Sequence, residues 1–216
     1  MTEPGSVRVR GVVLAGGRST RFGAENKALA TLDGRPLVDR AVRAVADATD
    51  GTPILSVATH AQAEQLVGTL QEREVETVYD SATYAGPLAG LSTAVESADA
   101  PWLFVCACDM PLVTPDSISA LTARVGAGGV GSAGEPDAVV PVVDGHDQPL
   151  HALYRRSAVA AALDDLSESD AMMALFDRLT VERVGAGDAN AALAAATTNV
   201  NTKADLESVR DRHDGG

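Results

Sequence analysis

The chain has 216 residues, enough for one α/β domain with a substantial core and too few for a second of similar size. Hydrophobic residues make up 45%, as in an ordinary globular protein, while 3% aromatics and a net charge of −13 argue against a DNA- or RNA-binding surface. Lys27 and Lys203 are the only lysines among 17 basic residues, against 30 acidic ones. Such a composition has two readings, adaptation to high salt, where screened carboxylates keep a protein soluble, and the imprint of a GC-rich genome.

The N-terminus carries no positive stretch ahead of an apolar run, and no apolar run approaches a membrane span. A cytoplasmic protein is therefore expected, with no membrane or nucleic-acid partner. Val7–Leu14 reads as a buried strand. Pro36–Ala48 follows as a helix with Leu37, Ala41, Ala44 and Val45 on its apolar stripe. Ile54–Ala58 is a short strand, Ala61–Leu70 a helix, Val75–Tyr79 a third strand and Leu88–Ala98 a helix of small residues. Trp102–Ala107 is the most hydrophobic strand, and Pro115–Val125 a helix with proline near its start, where a missing N–H costs nothing. Cys106 and Cys108 lie two apart in an apolar segment. On a strand they share a face, cannot easily bridge each other and lack zinc partners, so they read as buried free thiols in a reducing compartment.

Gly126–Pro136 is a Gly/Ser-rich loop. Ala138–Val143 and Leu150–Arg155 read as strands joined by the polar turn Asp144–Gln148. Ser157–Leu166 and Asp170–Leu179 read as helices, Val181–Val184 as a late strand and Asp205–Arg212 as a closing polar helix. Continuous apolar strands alternating with helices predict a single-domain, Rossmann-like three-layer αβα sandwich with a mostly parallel sheet. Residues 1–125 would form a nucleotide-binding half, and residues 126–216 a substrate-side half with the C-terminal helix. In such sheets ligands bind beyond the carboxyl ends of the strands.

Four segments stand at such ends or close the chain. Leu14-Ala15-Gly16-Gly17-Arg18-Ser19-Thr20-Arg21-Phe22-Gly23 follows the first strand. Its glycines let backbone approach a phosphate, and Arg18, Arg21 and Lys27 concentrate positive charge suited to a polyphosphate leaving group. The spacing matches neither a P-loop nor a dinucleotide fingerprint. Cys108-Asp109-Met110-Pro111 ends the fourth strand, where the Asp109 carboxylate could meet a phosphate-bound Mg²⁺. Asp80 ends the third strand and precedes Tyr84-Ala85-Gly86-Pro87-Leu88-Ala89-Gly90, a tight turn into a small-residue helix that suits a flat ligand or simply helix capping. Asn199-Val200-Asn201-Thr202 precedes the last helix; Asn201 offers a neutral oxygen to a metal, whereas Thr202 and Asp205 imitate a capping box. His146 and His151 flank the second-half turn, within reach of a substrate or simply on the surface.

In this order, Leu-Ala-Gly-Gly-x-Ser-x-Arg with a downstream Lys, Gly-Pro-Leu-Ala-Gly, Cys-Asp-Met-Pro and Asn-Val-Asn-Thr resemble the molybdenum cofactor guanylyltransferases. Gln148-Pro149-Leu150-His151-Ala152-Leu153-Tyr154 resembles that family's substrate-side strand, and the likeness runs from about Val9 to Leu206. The resemblance implies that Leu14, Ala15, Gly16 and Gly17 hold a guanine nucleotide, with Lys27 on its phosphates and Asp80 near the nucleoside. It further implies that Asp109 binds Mg²⁺ with Asn201 as a second ligand. Leu14–Gly17 is similar to the GTP-using branch, whereas CTP-using relatives tend to carry Leu-Ala-Ala-Gly. Implied partners are GTP, molybdopterin and molybdoenzyme chaperones. Two departures stand out: Gly23-Ala24-Glu25-Asn26-Lys27 replaces Gly-x-Asp-Lys, and Ala58-Thr59-His60 stands where the family often has Asn.

The implied reaction is attack by the terminal phosphate of molybdopterin on the α-phosphorus of GTP, with pyrophosphate leaving. An anionic attacking oxygen needs no strong base. Catalysis would come from positioning and from charge neutralisation by Mg²⁺, Lys27 and Arg21. CTP-dependent transfer to molybdopterin, or another small-molecule nucleotidyl transfer, remains the nearest alternative. A non-catalytic nucleotide-binding adaptor is a more distant one, against which Lys27 and Asp109 both argue.

Overall fold

The computed structural model describes residues 7–17, 26–71, 73–125, 134–185 and 191–214. Its strands are β1 (Val9–Leu14), β2 (Thr31–Leu32), β3 (Arg35–Pro36), β4 (Ile54–Val57), β5 (Glu76–Tyr79), β6 (Trp102–Ala107), β7 (Ala138–Val143), β8 (His146–Asp147), β9 (His151–Arg155) and β10 (Val181–Gly185). Its α-helices are α1 (Leu37–Ala48), α2 (His60–Val67), α3 (Pro87–Ser97), α4 (Pro115–Thr122), α5 (Arg156–Leu163), α6 (Ala191–Ala196) and α7 (Lys203–Asp214).

The main sheet runs in the order β10-β7-β9-β6-β1-β4-β5, with β8 paired to β7. β5, β4, β1 and β6 are mutually parallel, and β9 inserts antiparallel between β6 and β7. The sheet is therefore the expected mostly parallel one. Strand alternation sorts the core into two layers. Val13, Leu55, Phe104, Cys106 and Leu153 pack beneath Val42 and Val45 of α1, Leu66 of α2 and Ile118 of α4. Val12, Ile54, Leu103, Val105 and Tyr154 face Leu88 and Leu91 of α3 and Val159 of α5. Every residue of β6 is buried, which fits its continuous apolar run. The two thiols are free, buried and on one face, and burial with the nearby Asp109 carboxylate pushes Cys108 up to about 12. No helix among the described residues is long and apolar enough to cross a membrane.

Several elements differ from expectation. Met172–Asp177 is a 3₁₀ stretch, not part of an α-helix spanning 170–179. It buries only Met172 and Leu175, three apart, which matches the three-residue turn of a 3₁₀-helix. The hairpin β2–β3 turns on Asp33-Gly34 at φ 53° and 73°, and β7–β8 turns on Asp144-Gly145 at φ 50° and 78°. Asp-Gly suits such turns, because both positions need positive φ. The Ala-rich α6 follows residues 186–190, which lie outside the described residues.

His151 is neither at the surface nor at a binding site. It is fully buried on β9, edge-on to Phe104 with ring centroids 5.1 Å apart. Burial pushes its imidazole down to about 4, partly offset by a main-chain contact at Ser117. The unfolded chain takes up that proton near pH ~6.5, so between the two values it binds more protons than the folded chain, and stability falls as pH drops through the window. The expected contribution is on the order of 2–3 kcal/mol. Urea unfolding of wild type and His151→Leu from pH 7 to 4 reads it as a shallower pH slope in the variant. Parallel slopes would assign the acid sensitivity to other groups.

Candidate active site

β1 connects through α1 to β4 on one side, while β6 lies on the other, so the strand order reverses beyond the carboxyl ends of β1 and β6. A cleft of about 510 Å³ opens there, lined by Leu14, Ala15, Gly16 and Gly17, by Lys27, Asp80 and Tyr84, and by Asp109 and Leu150. Seven of the predicted site residues thus meet in one concavity. Arg21, with Arg18 and the altered 23–25 segment, lies outside the described residues.

The wall after β1 is braced by neighbours. Ala15 N–H donates to Ser56 O at 2.8 Å, and Ala15 O accepts from Gln62 Nε2 at 2.6 Å. Gln62 Oε1 in turn accepts from Ala58 N–H at 2.8 Å, while Thr59 caps α2. Residues 58–59 are therefore held by side chains at the start of α2. Gly16 is required by crowding: a Cβ there would stand 1.7 Å from Asp80 Oδ2. Asp80 leaves the end of β5 with its Oδ1 accepting from Ser56 Oγ at 2.5 Å. Gly86 sits at φ 60°, ψ −144°, a conformation essentially reserved for glycine, and turns the chain into α3. Tyr84 OH donates to Leu163 O at 2.8 Å, tying this lip of the cleft to α5. Opposite, the buried Tyr154 OH donates to Pro149 O at 2.8 Å and fixes the turn that presents Leu150.

Lys27 opens a 3₁₀ turn, Lys27–Leu29, capped by Asn26, whose Oδ1 accepts from Ala28 N–H at 3.1 Å. An Asn makes this bond as well as an Asp would. The turn aims Lys27 Nζ at Asp109 Oδ2, with which it forms an ion pair, and at Asn201 Oδ1, 3.4 Å away. Asp109 emerges from the end of β6 only 6% exposed, and its Oδ1 is buried without a hydrogen-bond partner. Its main-chain oxygen accepts from Val200 N–H at 2.9 Å, which brings the last segment beneath the site.

The capping reading of that segment holds. Thr202 Oγ1 accepts from Asp205 N–H at 3.1 Å, and Asp205 Oδ2 accepts from Thr202 N–H at 2.8 Å, a capping box at the start of α7. The main-chain N–H groups of Asn201 and Thr202, which both donate to Asp205 Oδ2, hold the Asp205 carboxyl below its usual range. Asn201 meanwhile points its amide oxygen to Lys27.

A buried carboxylate oxygen lacking a donor suits a hard cation, and Mg²⁺ characteristically takes one or two carboxylates together with phosphate and water oxygens. Among the described residues no group of three or more His, Cys, Asp or Glu could hold a metal unaided. Asp109 and Asn201 therefore fit a cation that arrives with phosphates, not a closed structural site. Ser56 and Gln62, which brace the site, were not found from the sequence. Ser56 carried a signal, as a polar residue inside an apolar strand; Gln62 carried none.

A Rossmann-like sheet with a glycine-lined cleft and a lysine–carboxylate pair at its switch point suits a nucleotide-binding enzyme, and the relatives specify a nucleotidyltransferase. Residues 11–184 match the model of the MobA-like NTP transferase domain. A probable molybdenum cofactor guanylyltransferase of Bacillus licheniformis is 36% identical over 199 residues, covering 92% of this chain and 94% of that protein. One of Haloferax mediterranei is 34% identical over 205 residues, covering 94% and 93%. The solved structure of molybdopterin-guanine dinucleotide biosynthesis protein A from Archaeoglobus fulgidus shares the fold, with a TM-score of 0.74 at 24% identity, over 96% of this chain and 100% of that one. The chain belongs to the MobA-like NTP transferase family.

Proposed function

We propose that this protein transfers GMP from GTP to the terminal phosphate of molybdopterin, releasing pyrophosphate and forming the guanine dinucleotide cofactor. The observation that carries the reading is the meeting of Lys27 and Asp109 in the cleft, with Asn201 Oδ1 3.4 Å from Lys27 Nζ, in a chain whose relatives are named as probable guanylyltransferases. Leu14–Gly17 and Asp80 would hold the nucleoside, and Lys27, with Arg21, would face the triphosphate. Asp109 and Asn201 would hold Mg²⁺. When bound, that ion supplies charge neutralisation on the phosphates. In the transfer, a terminal phosphate oxygen of molybdopterin forms a bond to the α-phosphorus as the bond to the pyrophosphate oxygen breaks. Lys27 contributes a fixed ammonium, strongest where negative charge grows on the leaving group. A cytoplasmic location and handover to molybdoenzyme chaperones belong to the same reading. Pyrophosphate release from GTP and molybdopterin tests it; release that needs CTP instead would replace it with cytidylyl transfer.

Gly16→Ala is expected to weaken GTP use by roughly 10–100-fold in kcat/KM, because the new methyl must displace the Asp80 carboxylate. Gly16 is not among the glycines with positive φ, so loop strain of that kind does not enter. CTP, with the smaller base, should lose less. Equal losses for both nucleotides would make the change structural and remove base selection from this segment.

A further inference from the structure

Ser56 belongs to no motif, yet it sits fully buried on β4, among residues that are otherwise apolar. Its hydroxyl donates to Asp80 Oδ1 at 2.5 Å. Two glycines, Gly16 just after β1 and Gly90 within α3, make room for this pair. A Cβ on Gly90 would meet Ser56 Oγ at 2.5 Å and Asp80 Oδ1 at 3.1 Å, and a Cβ on Gly16 would meet Asp80 Oδ2 at 1.7 Å. The Asp80 main chain is itself fixed, its N–H donating to Val57 O at 2.9 Å. The carboxylate is thus held from three sides, with Ser56 on one oxygen, Gly90 behind, and Gly16 against the other oxygen at the cleft wall.

We infer that Ser56 is a positioning residue that fixes the Asp80 carboxylate so that its second oxygen accepts a hydrogen bond from a donor group of the bound nucleoside. This rests on the functional reading above. A carboxylate with one oxygen committed to Ser56 can recognise only a donor, which a guanine N–H edge or a ribose hydroxyl supplies. The hydroxyl acts by keeping Asp80 in one rotamer before ligand arrives, so the ligand need not order it. It also explains a polar side chain in the middle of a parallel sheet, where an unpaired hydroxyl would be costly.

The test is GTP binding by calorimetry and steady-state kinetics for wild type, Ser56→Ala, Asp80→Asn and the double variant, with melting temperatures alongside. Ser56→Ala should raise the Kd and KM for GTP about tenfold, since hydrogen bonds to charged groups are worth roughly that much, and the effect should fall on KM more than on kcat. In the Asp80→Asn background the same change should add little. Ser56→Thr, which keeps the hydroxyl, should recover most of the binding. ITP, which lacks the 2-amino group, and 2′-deoxy-GTP assign the donor: the analogue missing it should show a Ser56→Ala effect near unity. Additive losses in the double variant, or equal losses of stability and kcat, would overturn the proposal and leave Ser56 a core residue. If wild type binds another NTP in place of GTP, the guanine assignment fails, and the same cycle on that nucleotide still decides the role of Ser56. Binding of none of the four NTPs would end both.

Discussion

Asp109→Ala is expected to lower kcat by about a thousandfold or more, on the order of 4 kcal/mol of lost charge stabilisation, with the fold retained. The carboxylate stands at the end of the fully buried β6, with one oxygen on Lys27 and the other without a partner. An acceptor left open inside a cleft suits a cation, and among the described residues no group of three or more His, Cys, Asp or Glu could hold one unaided. Circular dichroism should show unchanged secondary structure, because the main-chain contacts of residue 109 to Val200 survive the substitution. Near-normal turnover in excess Mg²⁺ would remove Asp109 from the proposed metal site.

Lys27→Ala is expected to lower kcat by roughly 10²–10³, since its ammonium is proposed to act on charge that moves during transfer. The structure adds a second effect that its loop position does not suggest. Its partner Asp109 has a side chain only 9% exposed, so truncation leaves a carboxylate without its cation. Breaking a buried pair one-sidedly is costly, and with Lys27 itself 19% exposed the loss of stability should be smaller, about 1–3 kcal/mol. Lys27→Arg should restore stability better than rate, because a planar guanidinium cannot reproduce a compact ammonium at the same point. An unchanged kcat with a lowered melting temperature would make Lys27 purely structural.

Much of the architecture could be read from the sequence, for identifiable reasons. Runs such as Trp102–Ala107 are apolar throughout because both faces of a parallel strand are covered, and the acidic residue that ends such a run stands out. Asp109 was legible on that ground; Asp80, which ends the half-buried edge strand β5, and the glycines that follow β1 were legible from their place after a strand and their motifs. What was not legible depends on contacts between segments distant in sequence. Gln62 bracing Ala15 is an ordinary helix residue in any local window. His151 looks like a surface histidine until β9 is seen between β6 and β7, where no solvent reaches it. The 3₁₀ stretch at Met172–Asp177 shares its apolar composition with an α-helix and differs only in the spacing of what it buries. The Asp-Gly turns at 33–34 and 144–145 were open to reading, since the dipeptide itself favours them.

The most direct measurement is pyrophosphate release with molybdopterin and Mg²⁺, run in parallel with GTP and with CTP, with the nucleotide product identified by mass. Guanylyl transfer predicts release with GTP, formation of molybdopterin-guanine dinucleotide in equal amount, and a much smaller rate with CTP. A preference for CTP, or GTP binding with no pyrophosphate released, would contradict it.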